Sequence, residues 1–336
     1  EEFVPSGFGV AGNWIIARNF DGEVGLFNGD TEQLIMVPES DLAHIAGAAP
    51  SREFWTDGDY CVTIADANRV SDGLSVKVID FTGNAPVIKS YPQPNVTQTP
   101  GRENETWQAD IDATARRIVV QVTDWLLVYD LDDPNAQPQG WNLQNFNGIR
   151  NTRNIHLSGD YVIYQTFDKT GNGREVTRII NITNGTLTQL PVNPSADLPL
   201  AFEAGKFGYF AFETDADMGT NGTSRAVLGE IQGDTPDITF ENDARNAIGD
   251  DPDDGIVGYG CTICITPNGE YTFVAGCGII NVADYFMYST GGAFKTLDDE
   301  FDQDSLNSKM LGSEVHASNT LVAWETPDGV AYSRIP

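Results

Sequence analysis

Apolar residues are gathered into short runs rich in β-branched and aromatic side chains, each entered through a turn and followed by a second alternating run. The runs are Trp14-Ile-Ile-Ala17, Tyr60-Cys-Val-Thr-Ile64, Arg117-Ile-Val-Val120, Tyr161-Val-Ile-Tyr164, Phe207-Gly-Tyr-Phe-Ala-Phe212, Tyr271-Thr-Phe-Val274 and Thr320-Leu-Val-Ala-Trp324. Turn chemistry precedes most of them, as in Ala11-Gly-Asn13, Asp57-Gly-Asp59, Ser158-Gly-Asp160 and Pro267-Asn-Gly269. Companion strands follow at Val76–Phe81, Leu126–Leu131 and Arg178–Ile182, and no segment sustains the 3.6-residue period of a helix.

One unit therefore recurs, and seven of them over 336 residues average about 48 residues each, the length of a four-stranded propeller blade. The predicted fold is an all-β, seven-bladed β-propeller of four antiparallel strands per blade. It forms one domain over residues 1–336, with blades at 6–38, 50–92, 106–143, 152–192, 200–240, 260–298 and 313–336. The last unit runs out of chain after three strands. Glu1–Pro5 resembles the outer strands Gln33–Pro38 and Thr188–Pro191, so residues 1–5 are expected to complete the last blade and close the ring. The wide spacings after Tyr60 and Phe207 leave counts of six or eight open.

In the fourth unit, Ser158-Gly-Asp-Tyr-Val-Ile-Tyr-Gln165, Asp168-Lys-Thr-Gly-Asn-Gly173 and Arg178-Ile-Ile-Asn-Ile-Thr-Asn-Gly-Thr-Leu-Thr-Gln-Leu190 resemble a TolB-like propeller repeat. Asp57–Tyr60 with Val76–Gly83 in the second unit is similar, and the rest of the chain is looser. The resemblance implies fold only. Such propellers serve as scaffolds, receptors, lyases and hydrolases, so function has to come from sites.

Charge narrows the partners. The 49 Asp and Glu against 19 Lys and Arg leave a net charge of −30, densest at Asp250–Asp254 and Asp298–Asp304. Nucleic acid is excluded, because a polyanion is repelled and no basic stripe releases its counterions. No stretch reaches the roughly 18 apolar residues of a membrane helix, which excludes direct insertion by that route. The opening Glu1-Glu2-Phe3, without Met or a basic-then-apolar leader, reads as a processed secreted chain, extracellular or at the cell surface. Sequons at Asn95, Asn104, Asn181, Asn184 and Asn221 fit a glycosylated surface. The acidity itself serves solubility in salty water, or cation-bridged packing against other subunits, copies of itself or anionic glycans.

Cys261-x-x-Cys264 lacks the second Cys pair or His that a zinc site needs. A tight turn at Asn268-Gly269 would pair 266 with 271 and 264 with 273. That register sets Cys261 against 276 and 277, so a Cys261–Cys277 disulfide is expected.

Three loops between second and third strands alternate oxygen side chains: Asp66-Ala-Asn68, Asp168-Lys-Thr170-Gly-Asn172-Gly and Asp215-Ala-Asp217. Calcium takes six to eight such oxygens, and it is the cofactor these loops suggest. Their competing reading is ordinary turn chemistry, since the Asp168 loop carries Ile179 where an EF-hand has its bidentate Glu.

Enzymatic readings centre on the channel mouth. A polysaccharide lyase would use His156 or His316 as base and Arg153 to neutralise a uronate carboxylate. A His between Ile155 and Leu157 also reads as a buried structural residue. A glycosidase would need two carboxylates at a set spacing, and so acidic a chain offers no means of choosing them. The reading that results is a non-catalytic scaffold, adhesion or assembly subunit; the alternative is a carbohydrate-active enzyme.

Overall fold

A computed structural model describes residues 5–19, 23–38, 54–66, 74–92, 108–122, 125–143, 150–167, 175–190, 200–213, 223–233, 235–243, 262–276, 285–290, 295–296, 315–326 and 329–336. The chain is an all-β, seven-bladed propeller, built as seven consecutive antiparallel meanders. It divides into two compact units, Glu1–Leu187 and Thr188–Pro336.

The first unit holds four sheets in chain order. These are β1 (Pro5–Ala11), β2 (Trp14–Asn19), β3 (Val24–Asn28) and β4 (Gln33–Val37); β5 (Trp55–Asp57), β6 (Tyr60–Asp66), β7 (Leu74–Asp80) and β8 (Val87–Tyr91); β9 (Gln108–Asp112), β10 (Arg117–Val122), β11 (Trp125–Asp130) and β12 (Gln139–Asn142); and β13 (Arg150–Ser158), β14 (Tyr161–Phe167), β15 (Glu175–Asn181) and β16 (Leu187–Gln189), whose last residues cross into the second unit. The first strands of successive sheets lie against one another, β1 on β5, β5 on β9 and β9 on β13, so each sheet's first strand is its innermost.

The second unit repeats the plan with β17 (Leu200–Glu203), β18 (Lys206–Glu213), β19 (Thr223–Gln232) and β20 (Thr235–Asp243); β21 (Thr262–Ile265), β22 (Thr272–Gly276), β23 (Tyr285–Ser289) and β24 (Lys295–Thr296); and β25 (Val315–Ala317), β26 (Leu321–Thr326) and β27 (Gly329–Arg334). The last sheet has three strands among the described residues. Glu1–Val4, expected to complete it, lie outside those residues, and Pro5 pairs with Asn19 in the first sheet.

Sheets stacked face to face explain why the inner runs are continuously apolar rather than alternating: both faces of each sheet are buried, against different neighbours. In the second blade Cys61 and Ile79 face the first, packing with Trp14, Ile16, Leu26 and Phe54. Val62, Ile64, Val76 and Val78 face the third, against Ile111, Ile118, Val120 and Tyr129. The third blade in turn offers Val119 and Leu126 to Leu157, Val162, Tyr164 and Ile180 of the fourth. In the second unit Phe273 and Tyr288 meet Val322 and Trp324 in the same way.

Candidate functional site

The tight turn at Asn268-Gly269 is present. Thr266 N–H donates to Tyr271 O, Cys264 pairs with Phe273, and Gly269 takes the positive φ of 67° that the turn requires. Cys261 and Cys277 lie outside the described residues, Cys61 is a buried free thiol, and Cys264 is buried as well. Burial pushes the Cys61 thiol far up and leaves it inert as a nucleophile.

Of the expected cation loops, Asp66 is the last residue of β6, paired with Leu74. Asn68, Asp168, Thr170, Asn172, Asp215 and Asp217 lie outside the described residues. Among the described residues no group of three or more His, Cys, Asp or Glu is arranged to hold a metal ion. Asn95, Asn104 and Asn221 are likewise outside. Asn184 is exposed in the turn after β15. Asn181 is 8% exposed, and its Oδ1 accepts from the Thr183 and Asn184 amides, so its side chain is occupied in shaping that turn.

The polar residues that the fold does converge sit on the innermost strands of the first unit. Gln108, Asp110 and Asp112 alternate along β9 and so share a face. That face meets β13, where alternate amides point back. Gln108 Oε1 accepts from Ile155 N–H at 3.1 Å, Asp110 Oδ2 from Leu157 N–H at 2.8 Å and Asp112 Oδ2 from Gly159 N–H at 2.5 Å. Three side chains thus form a ladder joining the third blade to the fourth. Asp112 Oδ1 also closes its own turn by accepting from Ala115 N–H at 2.6 Å. Just past the ladder, the Arg117 guanidinium reaches the Gly159 carbonyl at 3.1 Å and pairs with Asp160.

His156 lies on this ladder. It is buried, its backbone pairs with Ile163, and its Nδ1 stands 3.5 Å from Asp110 Oδ2. Arg153 is three residues earlier on β13, opposite Gln165, with an irregular register between the two. His316 is buried on β25 of the second unit, opposite Ala323. The structure therefore places both histidines and Arg153 on innermost strands, and brings His156 to a carboxylate.

One rung spans the second and third blades. Asp57, the last residue of β5, accepts from Ala113 N–H at 2.5 Å through Oδ2, while its Oδ1 is buried without a hydrogen-bond partner. Burial is the largest influence on this carboxyl. With the nearby Asp112 and Asp110 charges it outweighs the pull of the Ala113 and Gly58 amides, and Asp57 is pushed up to about 7.

Chemically, an acid–imidazole pair can orient a general base. Here, however, Asp110 Oδ2 already accepts the Leu157 amide, and both partners are buried in a seam between sheets. Sequence reasoning singled out His156 but missed Gln108, Asp110, Asp112 and Asp57. The period-2 polar alternation in Gln108-Ala-Asp-Ile-Asp112 was the available signal, on a strand whose neighbours bury both faces.

Comparison with known proteins supports the fold. No family model and no curated protein matches this chain. Among solved structures it is similar to the β-propeller domain of the Trilobed protease from Pyrococcus furiosus, at 8% identity and a TM-score of 0.56 over 98% of this chain and 94% of that one. It is also similar to the Myceliophteria thermophila Cps50 (Swd1) β-propeller domain, at 10% identity and a TM-score of 0.56 over 100% and 98% of the two chains. An acylaminoacyl peptidase matches at 8% identity and a TM-score of 0.58, with 99% of this chain covering 51% of that one. At such identities the likeness is one of architecture, and architecture is what it establishes: the chain has the β-propeller fold.

Proposed function

We propose that this propeller is a secreted or cell-surface, non-catalytic protein, acting as a scaffold, adhesion or assembly subunit with other protein subunits as its partners. The observation that carries this reading is the ladder. Gln108, Asp110 and Asp112, three polar side chains on one face of the innermost strand β9, hold backbone amides of the next blade instead of standing free for a substrate. Groups committed to such bonds cost several kcal/mol to redirect, since the amides left behind are buried. The net charge of −30 supports use in saline or calcium-rich surroundings, with calcium at the Asp66, Asp168 or Asp215 loops and glycans at exposed sequons such as Asn184.

The competing enzyme reading rests on the His156–Asp110 pair. Both are tested together by light scattering over a range of protein and calcium concentrations, alongside a panel of uronate-containing polysaccharides monitored for unsaturated products. Assembly or protein capture without polysaccharide cleavage is the expected result. Cleavage that His156→Gln abolishes in a folded protein would replace the scaffold by a lyase.

A further inference from the structure

The seam between the second and third blades differs in chemistry from the ladder beside it. Asp57, Asp110 and Asp112 are 3%, 4% and 6% exposed, so three carboxylates are buried along two adjacent innermost strands. Asp57 holds the Ala113 amide across the seam and is drawn on by the Gly58 amide of its own turn, and its Oδ1 has no hydrogen-bond partner.

Among the described residues, the charged groups on the elements packed around Asp57 have another commitment or the wrong sign, and the Cys61 thiol of β6 is held neutral by burial. On its own hairpin, Asp59 is a further acid, and the Tyr60 ring lies under the Arg116 guanidinium, 4.9 Å from it. Arg116 itself binds Asp132 at 2.5 Å. Arg117, at the start of β10, is paired with Asp160. From β9 come Asp110 and Asp112, and His156 stands at Asp110. β1, the remaining neighbour, carries no titratable side chain in Pro5–Ala11. Among the described residues no cation is therefore placed to neutralise Asp57. An ionised Asp57 would leave a bare anionic oxygen in an apolar seam beside two like charges, whereas a proton on Oδ1 removes that charge and leaves Oδ2 free to keep the Ala113 amide.

We propose that this seam is a proton-operated latch, closed when Asp57 carries a proton on Oδ1 and loosened when Asp57 ionises beside Asp110 and Asp112. The step is a proton transfer to and from solvent, with no other bond made or broken. Its consequence is a propeller that is tighter in mildly acidic surroundings than in mildly alkaline ones.

Two measurements on the whole chain test the latch. The first follows the Asp57 carboxyl carbon by NMR in the wild-type protein. Titration near neutrality is expected, moving to lower pH in Asp112→Asn, which takes away one like charge; titration in the ordinary carboxylate range would overturn the proposal. The second compares melting temperature from about pH 5 to about pH 8 at fixed ionic strength. The wild type is expected to lose several degrees and Asp57→Asn to lose much less. An Asp57→Asn slope equal to that of the wild type would equally sink the latch. If Asp57→Asn does not fold, the NMR titration decides alone.

Discussion

Two adjacent seams of the first unit use the same residue type for the same task with different results. Between the third and fourth blades, Asp112 receives two amides, from Gly159 and Ala115, and Asp110 receives the Leu157 amide with His156 alongside. Between the second and third, Asp57 bonds the Ala113 amide and is drawn on by the Gly58 amide of its own turn, yet keeps one buried oxygen with no hydrogen-bond partner. The difference lies in donor supply rather than depth, since all three carboxylates are buried. A buried carboxylate with enough N–H donors is a clasp. One with too few is a clasp that works best when protonated.

The largest effect should come from breaking the well-supplied seam. Asp110→Ala orphans the Leu157 amide and strips His156 of its carboxylate, at about 3 kcal/mol in urea unfolding, while Asp110→Asn keeps an acceptor and should lose much less. Equal losses would mean that packing rather than the hydrogen bond holds this rung.

Next is the poorly supplied seam, where the effect depends on pH. Folded Asp57 holds its proton up to about 7 while the unfolded chain releases it near 3.8. The stabilisation is therefore whole below about pH 4 and is lost as pH rises through about 7. Asp57→Asn, which cannot ionise, should consequently be more stable than the wild type at about pH 8, on the order of 2 kcal/mol, and the advantage should vanish near about pH 4. A constant difference across that range would contradict the contrast between the seams.

The same second-to-third seam also holds a neutral bond, Tyr91 Oη donating to Leu131 O at 2.7 Å. Tyr91→Phe should cost about 1 kcal/mol at every pH, a control that separates loss of a seam contact from loss of a titrating group. The smallest effect belongs to Arg117→Ala at the solvent end of the ladder. Its pair with half-exposed Asp160 is screened, so under about 1 kcal/mol is expected, and less in high salt.

Much of the fold was legible because turn chemistry and strand runs are local signals. Asn268-Gly269 set the register of its hairpin, and the runs at Tyr60, Arg117 and Tyr161 became the second strands of their blades. The ladder was not legible, because its bonds join residues 47 apart in a direction that no local pattern encodes. His156 stood out as a polar residue between Ile155 and Leu157, yet its partner Asp110 looked like one acid among 49. Asp57 was read as turn chemistry before Gly58, which is half of its role; the other half, an acceptor for Ala113, comes from the next blade.

The central claim is that donor supply decides how each seam behaves, and amide hydrogen exchange at two pH values tests it directly. After correction for intrinsic exchange, Leu157 and Gly159 should be equally protected at about pH 5 and about pH 8, whereas Ala113 should lose protection on going to the higher pH. Parallel behaviour of all three amides, whether all constant or all weakening together, would contradict it.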